Sequence, residues 1–267
     1  MKLEIIKNKP EKTSPYPPLL LVHGIYHGAW CWQKNYIPYF THNGFEVWAM
    51  SLRGHGKSEG RERLQHFRIW DYLEDVKRVA AMMDRPPVLL GHSLGGVLVQ
   101  KYIERNYVPA AVTIGSPIKT TYLPSRIAVD IFMSLFFRYP RPFLKSLFTL
   151  NPYSMVRDYW HRLLIASDLP QEEGAAIKNA LQKESIPVII DLAFFYKVYP
   201  QTVQTPVLVI GGAKDELVPE RHLRESAELY GATLYIDPEA GHDMMLEQNW
   251  EPAAEVILGW LKKRVGP

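Results

Sequence analysis

Ser93 lies in Leu89-Leu90-Gly91-His92-Ser93-Leu94-Gly95-Gly96, a pattern that presents a hydroxyl for nucleophilic attack. The apolar run 88–90 reads as a short buried strand, and Gly96-Val97-Leu98-Val99 as the start of a helix. A serine on a tight strand-to-helix turn projects clear of the backbone, and glycines two residues to either side let both elements approach without Cβ clashes. The helix N-terminus behind it favours negative charge. A serine hydroxyl is nonetheless a weak nucleophile at neutral pH. It needs a base, and the base needs a group that orients it.

When the nucleophile sits on such a turn, acid and base follow it in the order Ser, Asp or Glu, His. Of the nine histidines, only His222 and His242 lie beyond a plausible acid loop. His222 falls inside the helix opened by Pro219, close behind Asp215, where the reach to Ser93 is too long. His242 ends Pro238-Glu239-Ala240-Gly241-His242, a loop leaving the last expected strand, and is the expected base. The preceding strand runs into Gly212-Ala213-Lys214-Asp215-Glu216-Leu217-Val218-Pro219, which makes Asp215 the expected acid. Glu216 is its nearest competitor and Asp191 a distant one. Alone, Asp215 would read as an ordinary helix-capping residue; beside Ser93 and His242 it should accept the His242 Nδ1–H bond and fix the tautomer. The tetrahedral oxyanion requires two N–H donors. Leu94 follows the nucleophile, and Ile25 is the best placed residue of the loop His23-Gly24-Ile25-Tyr26-His27-Gly28-Ala29-Trp30. His23 is read as a buried loop anchor.

Strands alternating with helices must carry these residues. Leu19–Val22 and Val47–Met50 are strand-like, 30–43 looks helical and closes at Gly44, and 70–83 repeats apolar residues at helical spacing. The runs 88–90, 110–114, 205–211 and 232–236 complete a strand set, and 1–7 alternates like a strand. Pro219 and Gly231 bracket one further helix, and Asn249 is placed to cap the last. This implies an α/β fold with a mostly parallel central sheet flanked by helices. Between Ser116 and Thr202 the alternation stops; the segment is aromatic, helical in character, and broken by prolines at 124, 140, 142, 152, 170 and 187. The expected organisation is a core of 1–115 and 203–267 with a helical cap, 116–202, inserted after the strand ending near Ile114.

Composition narrows the class. The 267 residues are 47% hydrophobic and 22% charged, with a net charge of +3 and no long basic run, which argues against a nucleic-acid partner. One cysteine, Cys31, allows neither an intramolecular disulfide nor a thiolate metal cluster. No run reaches the ~18 apolar residues of a membrane span, and 1–7 lacks a signal-peptide core, so a soluble cytoplasmic protein is expected. Neither metal nor organic cofactor is implied, and oligomeric state is not legible.

Together, His23-Gly24, Arg53-Gly54-His55-Gly56-Lys57-Ser58, Gly91 to Gly96, Gly212 to Asp215 and Gly241-His242 resemble the α/β-hydrolase superfamily, in its esterase and lipase branch, over nearly the whole chain. The resemblance implies a carboxylic-ester hydrolase with Ser93, Asp215 and His242 as its triad and a small-molecule ester as substrate; the long aromatic segment 116–202 sets the expected acyl length at short to medium. His23 to Trp32 is similar to the oxyanion loop of plant methylesterases and hydroxynitrile lyases. Lyases of that type carry Thr where this chain has Gly24 and Lys where it has Asp243, which disfavours cyanohydrin cleavage. A C–C bond hydrolase on the same triad and a ligand receptor built on a hydrolase fold are the alternatives.

Overall fold

The computed structural model describes residues 1–120 and 126–266. Its strands are β1 (Ile5–Asn8), β2 (Leu19–Val22), β3 (Val47–Met50), β4 (Val88–His92), β5 (Ala111–Ile114), β6 (Val207–Gly212) and β7 (Thr233–Asp237). Its helices are α1 (Tyr36–His42), α2 (Ile69–Ala81), α3 (Leu94–Tyr102), α4 (Arg126–Arg138), α5 (Pro140–Phe148), α6 (Pro152–Leu163), α7 (Gln171–Ala180), α8 (Ile186–Ile190), α9 (Glu220–Tyr230) and α10 (Glu251–Val265). The strands form one sheet in the order β1-β3-β2-β4-β5-β6-β7, parallel throughout except for β1 against β3.

Successive side chains of a strand point to opposite faces, so a fully apolar strand must be covered twice. Leu19 and Leu21 enter one core with α1 and α10, through Tyr36, Ile37, Phe40, Ala253, Ile257 and Leu261. Leu20 and Val22 enter a second core with α2, α3 and α9, through Tyr72, Val76, Leu98 and Leu223. Both cores reach the sheet centre, where β4 carries Ser93 out on its carboxyl end.

Several boundaries differ from the sequence reading. The helix expected over 30–43 is a 3₁₀ turn, Ala29–Trp32, followed by α1. Pro38 explains the break, since a residue without N–H fits only within a helix's first turn. The helix after Ser93 begins at Leu94, not Gly96, and β4 extends two residues beyond 90. Asn249 does not cap α10; Trp250 occupies that position, and Asn249 Oδ1 is buried without a hydrogen-bond partner among the described residues. Gly231 does end α9 in the left-handed conformation.

Between β5 and β6 lie α4 to α8, and prolines open several of them: Pro140 and Pro152 at first positions, Pro187 within the first turn of α8. Pro124, and the stretch 121–125 of the expected cap, lie outside the described residues. The inserted helices are tied back at several points. Asp130 of α4 meets His222 and Arg221 of α9 at 2.7 and 2.8 Å. Arg68, just before α2, pairs with the buried Asp191. No helix among the described residues is long and apolar enough to cross a membrane.

Candidate active site

The turn at Ser93 is set by backbone crowding. A Cβ at Gly91 would lie 2.4 Å from the Gly95 carbonyl oxygen, and one at Gly95 2.2 Å from that of Val22. Only residues without side chains let α3 turn back so closely on β4 and β2. Ser93 itself has φ 51° and ψ −119°, a left-handed conformation that a non-glycine residue holds only where its surroundings enforce it. They do so here: the Ser93 N–H donates to the Ile114 carbonyl at 2.9 Å, and the Ser93 carbonyl accepts from Ser116 Oγ at 2.8 Å and from the Val97 N–H at 3.1 Å. Within the elbow, Gly91 and His92 are buried while Ser93 keeps partial exposure.

The same bonds aim the two expected oxyanion donors. In a trans peptide the carbonyl and N–H point opposite ways. Holding the Ser93 carbonyl on Ser116 and Val97 therefore turns the Leu94 N–H outward, at the first position of α3. In the facing loop, the Gly24 carbonyl accepts from His23 Nδ1 at 2.8 Å, which fixes the plane carrying the Ile25 N–H. His23 Nε2 in turn accepts from the Leu52 N–H at 3.0 Å, so the network assigns the tautomer. Burial, and then the neighbouring His55, hold His23 well below its ordinary range and keep it neutral. Neither the Ile25 nor the Leu94 N–H donates to another backbone group among the described residues. The two loops are adjacent, because a carbon added to Gly24 would sit 2.9 Å from Ser93 Cβ.

His242 is 3% exposed and lies over the strand end, 3.2 Å from where a Cβ on Gly115 would be. Its Nδ1 is 2.7 Å from Asp215 Oδ2, and the Asp215 side chain is fully buried. The other carboxylate oxygen, Oδ1, accepts from the Leu217 and Val218 N–H groups at 2.8 and 2.9 Å. Both oxygens are thus fixed and the imidazole orientation with them. Glu216 points elsewhere, accepting from Tyr139 Oη at 2.8 Å and pairing with Arg138 at 3.3 Å. Asp191 is engaged by Arg68, and His222 by Asp130. No hydrogen bond joins the Ser93 hydroxyl to His242 among the described residues. Such bonds are often long in a free site and tighten when substrate binds.

Burial disfavours a charged His242, but the Asp215 carboxylate more than offsets it and raises the imidazole above its ordinary range. If His242 must be neutral to accept a proton, the acid limb of kcat/KM is expected at a pH above the ordinary histidine value of about 6.5. Replacing Asp215 with Asn should move that limb down. A pH–rate profile in both proteins measures the difference, and an unmoved limb would detach it from His242.

A second buried group adjoins the first and had no signature in the sequence. Asp243, with no exposure, lies 2.9 Å from His27 Nε2 and 3.3 Å from His92 Nε2. Burial works against its charge, yet facing His27 and then His92 holds its carboxyl at about 2. His92, lowered to about 3 chiefly by burial, is neutral; its Nε2 also lies 3.0 Å from the His242 carbonyl. His27 Nδ1 sits 2.7 Å from the Ile25 carbonyl. One carboxylate therefore joins the loop of Ile25, the residue before Ser93 and the loop of His242. His92, His242 and Asp243 also bring three potential metal-ligating atoms within 4.8 Å. Asp215 already engages His242 and two histidines face Asp243, which leaves the set better explained as an internal network.

The inserted helices bind both loops that flank Ser93. Gln182 donates its N–H to the Tyr26 carbonyl at 3.0 Å and its side-chain amide to the His27 carbonyl at 3.1 Å. The Asp243 N–H donates to the Leu164 carbonyl at 2.7 Å, and Glu247 accepts from the N–H groups of Ala166, Ser167 and Gly241. Tyr26 and Tyr153 stand with ring centroids 5.9 Å apart.

A sequence profile of the alpha/beta hydrolase fold matches residues 17–248. Methylesterase 9 from Arabidopsis thaliana is 33% identical over 120 residues, 44% of this chain and 39% of that protein, so the match spans well under half of that relative's length. The sn-1-specific diacylglycerol lipase ABHD11 of Xenopus tropicalis is 24% identical over 256 residues, which take in 87% of this chain and 77% of that one. Among solved structures, an esterase from Exiguobacterium antarcticum shares the fold with a TM-score of 0.73 at 18% identity, covering 97% of this chain and 95% of that one.

Proposed function

The chain belongs to the alpha/beta hydrolase fold family, and from that premise we propose that it is a serine hydrolase of carboxylic esters. The observation that carries this reading is the His242–Asp215 pair, 2.7 Å apart, on the same sheet edge as a left-handed serine at the N-terminus of α3. Active sites of parallel α/β sheets gather on that carboxyl edge. Two of the relatives are named for ester cleavage, which supports the substrate class.

In this mechanism Ser93 Oγ attacks the ester carbonyl while His242 Nε2 takes its proton, and Asp215 stabilises the imidazolium that results. The N–H groups of Ile25 and Leu94 receive the oxyanion, in an orientation prepared before substrate arrives. His242 then protonates the leaving alcohol. Water, deprotonated by the same imidazole, attacks the acyl-enzyme and frees the acid and Ser93.

Helices α6 and α7, with the segments that follow each, brace both loops beside Ser93, and we read 116–202 as a cap over the acyl group. Each methylene that the cap shields from water would add up to ~0.8 kcal/mol of binding. Across p-nitrophenyl esters from acetyl to palmitoyl, kcat/KM is expected to rise several-fold to a medium acyl length and then level. A steady fall from acetyl onward would show that the cap contributes no acyl contact. Turnover limited to one equivalent would favour a ligand receptor over an enzyme.

A further inference from the structure

Helices α4 and α5 carry more exposed apolar surface than their packing explains. No residue of α4 is fully buried, although it includes Val129, Phe132, Met133 and Phe137, each more than 40% exposed. Phe132 and Phe136 pack their rings on Phe143 of α5, at 4.7 and 6.0 Å between centroids, so the two helices form a hairpin. Helix α5 turns Phe143 and Ser146 inward and leaves Leu144, Leu147 and Phe148 outward, Phe148 at 84% exposure. Just beyond, Leu150 holds φ 49° and is 75% exposed. A leucine in that strained conformation with its side chain in water gains nothing from the fold.

The charges around this surface are mostly of one sign. From 126 to 158 the segment has five basic residues, Arg126, Arg138, Arg141, Lys145 and Arg157, and two acids, Asp130 and Asp158, of which only Asp130 lies on the hairpin. Asp130 is engaged by Arg221 and His222, and Arg138 by Glu216. Arg141 and Lys145 are exposed and make no ion pair among the described residues. At 3.6 residues per turn, Leu144 and Phe148 lie one above the other on α5, with Arg141 and Lys145 along their edge. An apolar stripe bordered by cations is the pattern of a helix that lies in a membrane interface, its apolar face among acyl chains and its cations at phosphate depth.

We propose that the α4–α5 hairpin is a peripheral docking surface for anionic phospholipid bilayers, with Leu144, Leu147, Phe148 and Leu150 inserted and Arg141 and Lys145 at the headgroups. A second copy of the chain fits this surface poorly. A two-fold contact across this edge of the stripe would bring Arg141 and Lys145 of both copies together, and Asp130, the hairpin's one acid, is already engaged. An anionic bilayer supplies that charge continuously.

The test is sedimentation of the full chain with vesicles of equal parts phosphatidylglycerol and phosphatidylcholine, and with phosphatidylcholine alone. The wild type should bind the mixed vesicles, weakly or not at all the neutral ones, and lose binding as salt rises. The Leu147→Ser, Phe148→Ser double variant and the Arg141→Gln, Lys145→Gln double variant should each weaken binding about tenfold or more. Both should keep the wild-type melting transition and the wild-type rate on a water-soluble acetyl ester without vesicles. The binding result is read independently of whether that ester is turned over. Absence of binding to mixed vesicles, or binding that neither variant weakens, would overturn the proposal. So would a wild-type dimer at micromolar concentration that both variants dissolve, since the surface would then serve a second copy.

Discussion

Ser93→Ala is expected to remove ester turnover, with a loss on the order of 10⁶ in kcat, and to leave the fold in place. On the proposed mechanism the chemistry loses its nucleophile. The fold loses almost nothing, because the Ser93 hydroxyl makes no hydrogen bond among the described residues and its removal strands no buried group there. Alanine keeps a Cβ, so the cost of the left-handed conformation is neither relieved nor increased. The bonds that shape the elbow run through the Ser93 backbone to Ile114, Ser116 and Val97, and alanine retains them. The measurement is kcat on a p-nitrophenyl ester beside a thermal melt. A Ser93→Ala protein that melted like the wild type but kept about a tenth of its rate would move the nucleophile elsewhere.

Asp215→Asn is expected to cost roughly 10⁴ in kcat, and Glu216→Gln little. One Asp215 oxygen accepts from the Leu217 and Val218 N–H groups, which only an oxygen can do. Asparagine must therefore keep its carbonyl there and turn its amide toward His242 Nδ1. An amide N–H facing Nδ1 places the imidazole proton on Nε2, where the ring can no longer accept from serine. Glu216 reaches Tyr139 and Arg138 instead, so its neutralisation loosens the inserted helices without altering the tautomer. Rates for the two variants, each with a melt to confirm folding, distinguish the roles; reversed losses would shift the acid by one residue.

The strands were the most legible elements. Leu19–Val22 and Val47–Met50 are four-residue runs, apolar throughout and bounded by Pro18 and His23 and by Glu46 and Ser51, and the structure begins and ends them at those residues. Helix edges were less legible, because local rules compete. Pro38 overrode the apolar pattern of 30–43, and Trp250 replaced Asn249 at the start of α10. The positions of Asp215 and His242 on the sheet edge followed from chain order and strand ends. The carboxylate linking His27 and His92 did not. In the sequence Asp243 stands out only as a residue that is not lysine, and its partners lie far upstream, where no spacing rule connects them. The insertion announced its prolines and rings, but which rings face water depends on packing that periodicity does not encode.

The insertion between β5 and β6 also imposes a timetable. The serine elbow requires only β2, β4, β5, α3 and Ser116 just beyond β5, all complete by residue 116. Asp215 and His242 arrive after β6 and after β7, and β6 docks beside β5 only once α4 to α8 have been made. Closing so long a loop into parallel pairing is among the slower steps of folding. A chain emerging from the ribosome amino end first therefore displays its hydroxyl well before a base can reach it. On the proposed mechanism synthesis itself delays the reactive state, and the unfinished protein carries a serine no more nucleophilic than any other.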